Sequence, residues 1–575
     1  MKTFSVSMTR RGGVHVFFFC AGLLLCAGSL AGAPAAVDDQ ARTVRNTPVL
    51  IPVLANDPPA GSNQLAILRV TAPAHGRVVI NSDGVVTNPA LPPLLDFAGM
   101  QLSNSVAQIG NTNLYPRYTQ TNGLWVTRAP GIYNWVSGFF PGSLWYLYEQ
   151  SGDAHFRTWA ESWMPAIAPL QYSNDVDDVG FMINTSYGNG YRLTGNPDWK
   201  AVVLQTAQSF STRYNAAAGC LSTWGAVTNQ PFDVFLDTLM NLEVLFRAFD
   251  LGGDTNFYRF AYSHAEKTMQ NHVRPDGSTY HLVEYDGNTG AVLWRGTFAG
   301  ASDESTWARG QSWGIYGFTM AYRETGDLRF LNTAQRLADY YLTNVPPDHV
   351  PYWDYQAPNI PNEPRDSSAA SIALAGMLEL SQRATNSADS ARDWQGAWRI
   401  FESLSSTNYL AQGSASSGIL LHGVGETPPL SSSEIDVSLI YGDYYFIEAL
   451  ERYREIYSHT TLTYVPNTNF VGTDSFSYQV CDSGGGCADA AVTVAVAPTD
   501  PFAVQAWLTP GTRQPQISFP SAAGVTYSVE YLDDPGAPGA WSALVTNLAG
   551  SGSVITIGDT NPPLTRFYRV SAFAP

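Results

Sequence analysis

The spacing of apolar residues changes twice along this chain, and no other feature limits the fold as much. From about Val37 to Asn88 apolar residues come in alternating or short runs. Pro48-Val-Leu-Ile-Pro-Val-Leu54 and Gly76-Arg-Val-Val-Ile-Asn-Ser-Asp-Gly84 are examples, and Asn, Asp, Gly and Pro lie between such runs, a pattern of strands and turns. From Gly138 to Tyr457 the spacing becomes three and four, the period of helices with a buried face. Alternation returns in Leu462-Thr-Tyr-Val465 and Ser475-Phe-Ser-Tyr-Gln-Val480. A helical middle between two β ends, over 575 residues, predicts several domains rather than one core.

The helical part repeats one phrase: Gly, then Asp or Asn, then an aromatic a few residues on. It occurs as Ser151-Gly-Asp153 before Phe156, Thr194-Gly-Asn196 before Trp199, Gly252-Gly-Asp254 before Phe257 and Thr325-Gly-Asp327 before Phe330. Gly suits the left-handed position that ends a helix and Asp or Asn the cap that starts the next, so each phrase predicts a corner between two helices. The spacing is too irregular for a uniform solenoid. A closed toroid of eleven or twelve helices fits the 320-residue stretch, with its active site in the mouth where the inner helices begin.

Residues 1–35 read as a secretory leader. Lys2, Arg10 and Arg11 are basic, Val16 to Ala27 is apolar, and Ala33-Pro34-Ala35 offers a small-residue cleavage site. Cys26 follows Leu23-Leu24-Leu25 rather than a small residue, which favours release over lipid anchoring. The expected location is therefore secreted or periplasmic, in a bacterium. Cys220 stands alone, whereas Cys481 and Cys487 flank a short Gly-rich turn and are expected to form a hairpin disulfide. No other Cys or His sits near this pair to make a zinc site.

The formal charge of −18 disfavours nucleic acid and anionic membranes as partners, and an acidic substrate would need a local Arg or His. The 15 Trp, 30 Tyr and 27 Phe suit sugar stacking as well as a large core. There is no H-E-x-x-H pair or phosphate-cradling glycine loop. Carboxylates among aromatics remain, the equipment of sugar hydrolysis. They cluster in Asn174-Asp-Val-Asp-Asp-Val-Gly-Phe-Met182 and Phe232-Asp-Val-Phe-Leu-Asp-Thr-Leu-Met-Asn-Leu242. Helical spacing in the second would put Asp233, Asp237 and Asn241 on one face.

Two resemblances organise these features. Asn46-Thr-Pro-Val-Leu-Ile-Pro-Val-Leu-Ala-Asn-Asp57 resembles the first half of a bacterial cadherin-like or immunoglobulin-like repeat, and Leu462 to Tyr478 the second half. The acids that hold calcium in many such repeats are missing from Pro58-Pro-Ala-Gly-Ser-Asn63. The implied order is a split β-sandwich at 36–88 and 460–498, a helical barrel inserted at 89–459, and a further β-sandwich at 499–575. Within the barrel, Asn134-Trp-Val-Ser-Gly-Phe-Phe-Pro-Gly142, Asp178-Val-Gly-Phe-Met182, Asp237-Thr-Leu-Met-Asn-Leu242, Ser305-Thr-Trp-Ala-Arg-Gly-Gln-Ser-Trp-Gly314 and Ile440-Tyr-Gly-Asp-Tyr-Tyr-Phe446 resemble glycoside hydrolase family 88.

That resemblance implies an (α/α)6 barrel and an unsaturated glucuronyl hydrolase needing no metal or other cofactor. It makes Asp237 the general acid/base and Asp178 a second essential carboxylate. His281, Arg309, Trp313 and Trp135 become substrate-binding residues, with Arg309 and Trp313 on one helix face. Asp177 stands where the family usually has His, and a neighbouring carboxylate should raise the pKa of Asp178. The implied reaction removes a terminal 4,5-unsaturated uronic acid from an oligosaccharide made by a lyase. The alternatives are an unsaturated rhamnogalacturonyl hydrolase on the same barrel, an inverting glycosidase acting on saturated sugars, and a non-catalytic polysaccharide binder contacting cell surfaces through its β domains.

Overall fold

In the computed structural model, the residues described are 3–9, 14–16, 34–57, 65–82, 91–426, 433–468, 470–482, 485–497, 504–509, 514–521, 525–533, 541–563 and 565–573. Among them, six helical hairpins close a ring. The inner helices are Phe139–Ser151, Val179–Ile183 with its continuation Asn189–Thr194, Thr238–Asn241 with Glu243–Asp250, Ala308–Thr325, Ser367–Arg383 and Ile440–Tyr457. The outer ones are Ala154–Trp163, Pro197–Ser211, Thr255–Asn271, Leu328–Asn344, Ser387–Leu404 and Leu91–Ile109. Each inner helix packs on the next, and Ile440–Tyr457 returns to Phe139–Ser151, so this is an (α/α)6 barrel.

Composition sorts the two rings. Every residue from Ala308 to Ala321 and from Ser367 to Ser381 is buried, and these stretches are rich in Gly, Ala and Ser, so the backbones approach closely. A Cβ on Gly376 would lie 3.0 Å from the Cα of Tyr316 on the neighbouring inner helix. Outer helices bury one stripe and expose the other, as Phe330, Leu331, Ala334 and Leu337 do on theirs.

The corner phrases do what their chemistry predicts. Gly152, Gly195 and Gly326 sit at φ of 70°, 69° and 69°, ending inner helices in the left-handed region. Asp153, Asn196, Asp254 and Asp327 then cap the outer helices by accepting the backbone N–H two residues on, at 2.9 Å each. All these corners lie at the end of the barrel away from the inner-helix starts, leaving the starts free to form a mouth.

The β segments on either side of the barrel pair with each other. One sheet has the order Asp39–Val44, Cys487–Ala497, Gly472–Asp482, Leu65–Val70, and the other Val49–Ile51, His459–Pro466, Gly76–Ser82. Their inner faces bury Ile51, Val53, Ile67, Leu462, Tyr464, Phe476, Tyr478 and Val480. The outer face of the first sheet contributes Ala66, Leu68 and Cys481 to the barrel's own core, and Arg69 and Gln479 donate to the carbonyls of Thr385 and Ser387 at 3.0 and 3.1 Å. Cys481 and Cys487 face each other across the hairpin and are disulfide-bonded.

The last segment forms two more sheets around Ile517, Phe519, Tyr527, Val529, Tyr568 and Val570. Thr3–Thr9, within the expected leader, lies antiparallel on its edge strand Thr565–Phe573. The turn 58–63, read above as lacking calcium ligands, lies outside the described residues.

Candidate active site

Asp178 and Asp237 each stand one residue before an inner helix, Val179–Ile183 and Thr238–Asn241. At such positions a carboxylate ordinarily accepts hydrogen bonds from the first turn. Neither does so here. Asn241 Oδ1 instead accepts the N–H of Phe181 at 2.6 Å, which ties the two helix starts together. Both carboxylates therefore face a cavity of about 410 Å³, walled by Trp135, Phe181, Phe235, Trp307 and Arg309.

The acidic stripe read from helical spacing does not form. Phe232–Phe235 is a strand paired with Leu282–Tyr285, and Asp233 accepts from the Trp224 indole at 2.9 Å. The helix begins only after Asp237. The strand pairing brings His281 opposite, since the Leu236 N–H donates to the His281 carbonyl at 2.9 Å.

His281 is buried between the rings of Phe235 and Trp307, with centroids 4.8 and 4.4 Å away. Its Nδ1 faces the backbone N–H groups of Phe298 and Ala299 at 3.4 and 3.2 Å, so Nδ1 is the acceptor and a single proton belongs on Nε2. Nε2 lies 3.4 Å from Asp237 Oδ1. Arg309 is buried and spans the wall. It donates to Asp366 at 3.2 Å and to the carbonyls of Val424 and Gly425 at 2.5 and 3.0 Å, and its guanidinium lies 4.4 Å from the Trp307 ring centre. Trp135 is part-buried and stacks obliquely against Tyr441 and Phe181. Trp313, although on the Arg309 face of its helix, lies beneath the cavity rather than in its wall, packed against Phe181 and Tyr445 at 5.4 Å each.

Asp177 is 1% exposed, and burial pushes its carboxyl up to about 7, against the nearby positive charge of Arg213. Asp178 is held well above the carboxylate range, first by desolvation and then by the charges of Asp177 and Asp237. The site thus gathers three carboxylates that repel one another, so a proton is retained among them near neutral pH. The described residues contain no group of His, Cys, Asp and Glu arranged to hold a metal.

Sequence reasoning did not single out Trp224, Phe235, Phe298 or Trp307. Trp224 and Phe298 are 37% and 61% exposed, touch each other and Phe235, and so form an aromatic rim beside the carboxylates, with Glu426 also in the lining. Trp307 and Phe235 lie inside the Ser305–Gly314 and Phe232–Leu242 segments singled out in the sequence. The others carry no local pattern that separates them from core aromatics.

A family model described as Glycosyl Hydrolase Family 88 matches residues 113–393. An unsaturated glucuronyl hydrolase from Formosa agariphila is 36% identical over 347 residues, covering 59% of this chain and 84% of that protein. The chain belongs to glycoside hydrolase family 88. It is accordingly a glycosidase. A bacterial Ig domain model matches residues 31–107 and 448–495, on both sides of this family 88 barrel. An unsaturated chondroitin disaccharide hydrolase from Streptococcus pneumoniae is 32% identical over 331 residues, covering 56% of this chain and 81% of that protein. A solved unsaturated glucuronyl hydrolase described as specific for heparin superposes with a TM-score of 0.60 at 37% identity, covering 64% of this chain and 98% of that one. The unsaturated glucuronyl hydrolase of Bacillus sp. GL1 superposes with a TM-score of 0.58 at 31% identity, covering 64% of this chain and 97% of that structure.

Proposed function

We propose that this family 88 enzyme removes a terminal 4,5-unsaturated uronic acid from oligosaccharides left by polysaccharide lyases, with Asp237 as general acid/base and Asp178 as its partner carboxylate. The observation that carries the reading is that two uncapped carboxylates, at the starts of neighbouring inner helices, face one aromatic cavity beside a histidine. The substrate's C4=C5 bond is an enol ether conjugated to the sugar carboxylate. Asp237 protonates C4, which leaves an oxocarbenium-like centre at C5. Water adds there, with Asp237 taking its proton and Asp178 orienting it. The resulting hemiketal opens and the leaving sugar departs. His281 Nε2 faces Asp237 Oδ1 at 3.4 Å, and Trp135 offers a stacking face for the uronate. The net negative charge of the chain leaves Arg309 and His281 to offset the substrate carboxylate locally. The leader read at residues 1–35 supports export, which would bring the enzyme to lyase products outside the cytoplasm.

Asp237→Asn keeps the shape and loses the proton, so turnover should fall by at least ~100-fold, with Asp178→Asn nearly as severe. Loss of the substrate double bond's ultraviolet absorbance follows the reaction directly, and an Asp237→Asn variant that keeps most of its activity would sink the assignment. Labelled water separates the chemistry from ordinary glycoside hydrolysis, which puts the water oxygen on C1. Here oxygen should enter at C5, and the new C–H at C4 should carry deuterium from heavy water. Product with label at C1 and none at C4 contradicts the mechanism even if both aspartates prove essential.

A further inference from the structure

We propose that Asp177 is a positioning residue: through Thr238 and Thr223 it fixes the segment that ends in Asp178 against the turn that carries Asp237. The proposal rests on the reading of those two aspartates as catalytic. It begins from three separate pieces of chain that meet at one buried point. Asp177 precedes Asp178 on the 174–178 loop, Thr238 follows Asp237, and Thr223 lies on the loop after Cys220–Leu221.

Hydrogen-bond direction is set by what each group can give. The Phe235 N–H donates to Thr223 Oγ1 at 2.8 Å. Thr238 gives its one hydroxyl proton to Asp177 Oδ2, so between the two threonines it is the Thr223 hydroxyl that donates, to Thr238 Oγ1 2.9 Å away. The run therefore needs an acceptor at its end, and Asp177 supplies it. Backbone bonds close the same loop: the Asp177 N–H donates to the Thr223 carbonyl at 3.0 Å, and the Thr223 N–H to the Asp233 carbonyl at 3.1 Å. Thr223, Thr238 and Asp177 are all at least nine-tenths buried, so water does not compete for these bonds.

The charges facing Asp177 come from every side of this point. Asp178 is its chain neighbour, Asp237 is on the opposing turn, and Arg213 lies beneath. Arg213 is 1% exposed, and its guanidinium makes its hydrogen bonds to Asn174, Ser222 and Gly225 rather than to a carboxylate. Its charge is left to act on the aspartates through space. His281 faces Asp237 from the strand side, with Nε2 3.4 Å from Oδ1. Asp177 thus does two separable things: its oxygen holds Thr238, and its charge adds to the field on Asp178.

Four variants separate these roles on the full-length enzyme, with initial rates measured across pH. Thr238→Val removes the donor and should lower kcat about tenfold with KM little changed, because binding groups stay while Asp237 loses its anchor. Thr238→Ser restores the hydroxyl and should recover most of that loss. Asp177→Asn keeps an acceptor oxygen, so kcat should fall by less than about threefold, and the whole pH profile should move to lower pH because a like charge beside Asp178 is gone. Asp177→Leu loses both and should match Thr238→Val or do worse. The proposal is overturned if Thr238→Val keeps wild-type kcat, if Thr238→Ser is as poor as Thr238→Val, or if Asp177→Asn collapses like Asp177→Leu or leaves the pH profile unmoved. Should Asp177→Leu fail to fold, the Val and Ser pair still decides. An active Asp237→Asn variant would instead refute the catalytic reading itself.

Discussion

Asp443 is fully buried, and its two oxygens accept the backbone N–H groups of Ile419 and Leu420 at 2.9 Å each. Desolvation outweighs those bonds and pushes its carboxyl up to about 7. A carboxyl raised in the folded state binds its proton there while the unfolded chain has released it. Its contribution to stability is therefore complete below the unfolded value of 3.8 and is lost as pH rises through about 7. Asn at this position does not titrate, but its NH2 would face one of the two N–H donors, which costs a constant amount at every pH. The melting temperature of Asp443→Asn should lie below wild type at pH 5, and the gap should narrow towards pH 8. A gap independent of pH would show that Asp443 is ionised throughout. The same scale explains what the sequence revealed of the site. Asp178 and Asp237 were legible because each lies inside an unbroken family-like segment, Asp178–Met182 and Asp237–Leu242. Trp224 and Phe298 reach the rim from separate loops, and long-range folding alone brings them together.

At the scale of elements, the end of the barrel opposite the mouth can be altered without touching the chemistry. Gly326 has φ 69° and open space where a Cβ would go, so Gly326→Ala meets only backbone strain, about 1–2 kcal/mol. Denaturant midpoints should fall accordingly while kcat stays at its wild-type value. Gly138 is the opposite case. A Cβ there would lie 2.3 Å from the Met182 carbonyl oxygen, between two inner helices and beside Trp135. Gly138→Ala should cost more stability than Gly326→Ala and also lower kcat/KM, and equal effects of the two would contradict this account. The Gly-Asp corners were legible because capping is local. The fifth corner, where Asn386 caps after Ala384, lacks the glycine and was not. Phe232–Phe235 was misassigned because Phe-Asp-Val-Phe fits a strand period as well as a helical one, and only pairing with Leu282–Tyr285 decides between them.

For the molecule as a whole, the pairing register explains how a sandwich accepts so large an insert. Gly76–Ser82 runs antiparallel to His459–Pro466, with Ser82 directly opposite His459. The barrel therefore occupies the place of a hairpin turn, and its first and last helices, Leu91–Ile109 and Ile440–Tyr457, pack together so that the chain leaves close to where it entered. A two-residue turn such as Asn-Gly suits antiparallel strands joined at this register. Replacing residues 83–458 with Asn-Gly should yield a folded sandwich, because the core around Ile51, Ile67, Leu462, Tyr464, Phe476 and Val492 lies wholly within what remains. The disulfide between Cys481 and Cys487 would also be retained. The cost is the barrel-facing side. Leu68, 1% exposed against the barrel, would meet water at about 2 kcal/mol, and Ala66 and Cys481 would add to it. Leu68→Thr in the shortened chain should then improve solubility, while the same change in the full-length enzyme should destabilise the contact between sandwich and barrel. Circular dichroism and a cooperative thermal transition test the shortened chain. A non-cooperative product in both forms would mean that the two halves need the barrel to hold them together.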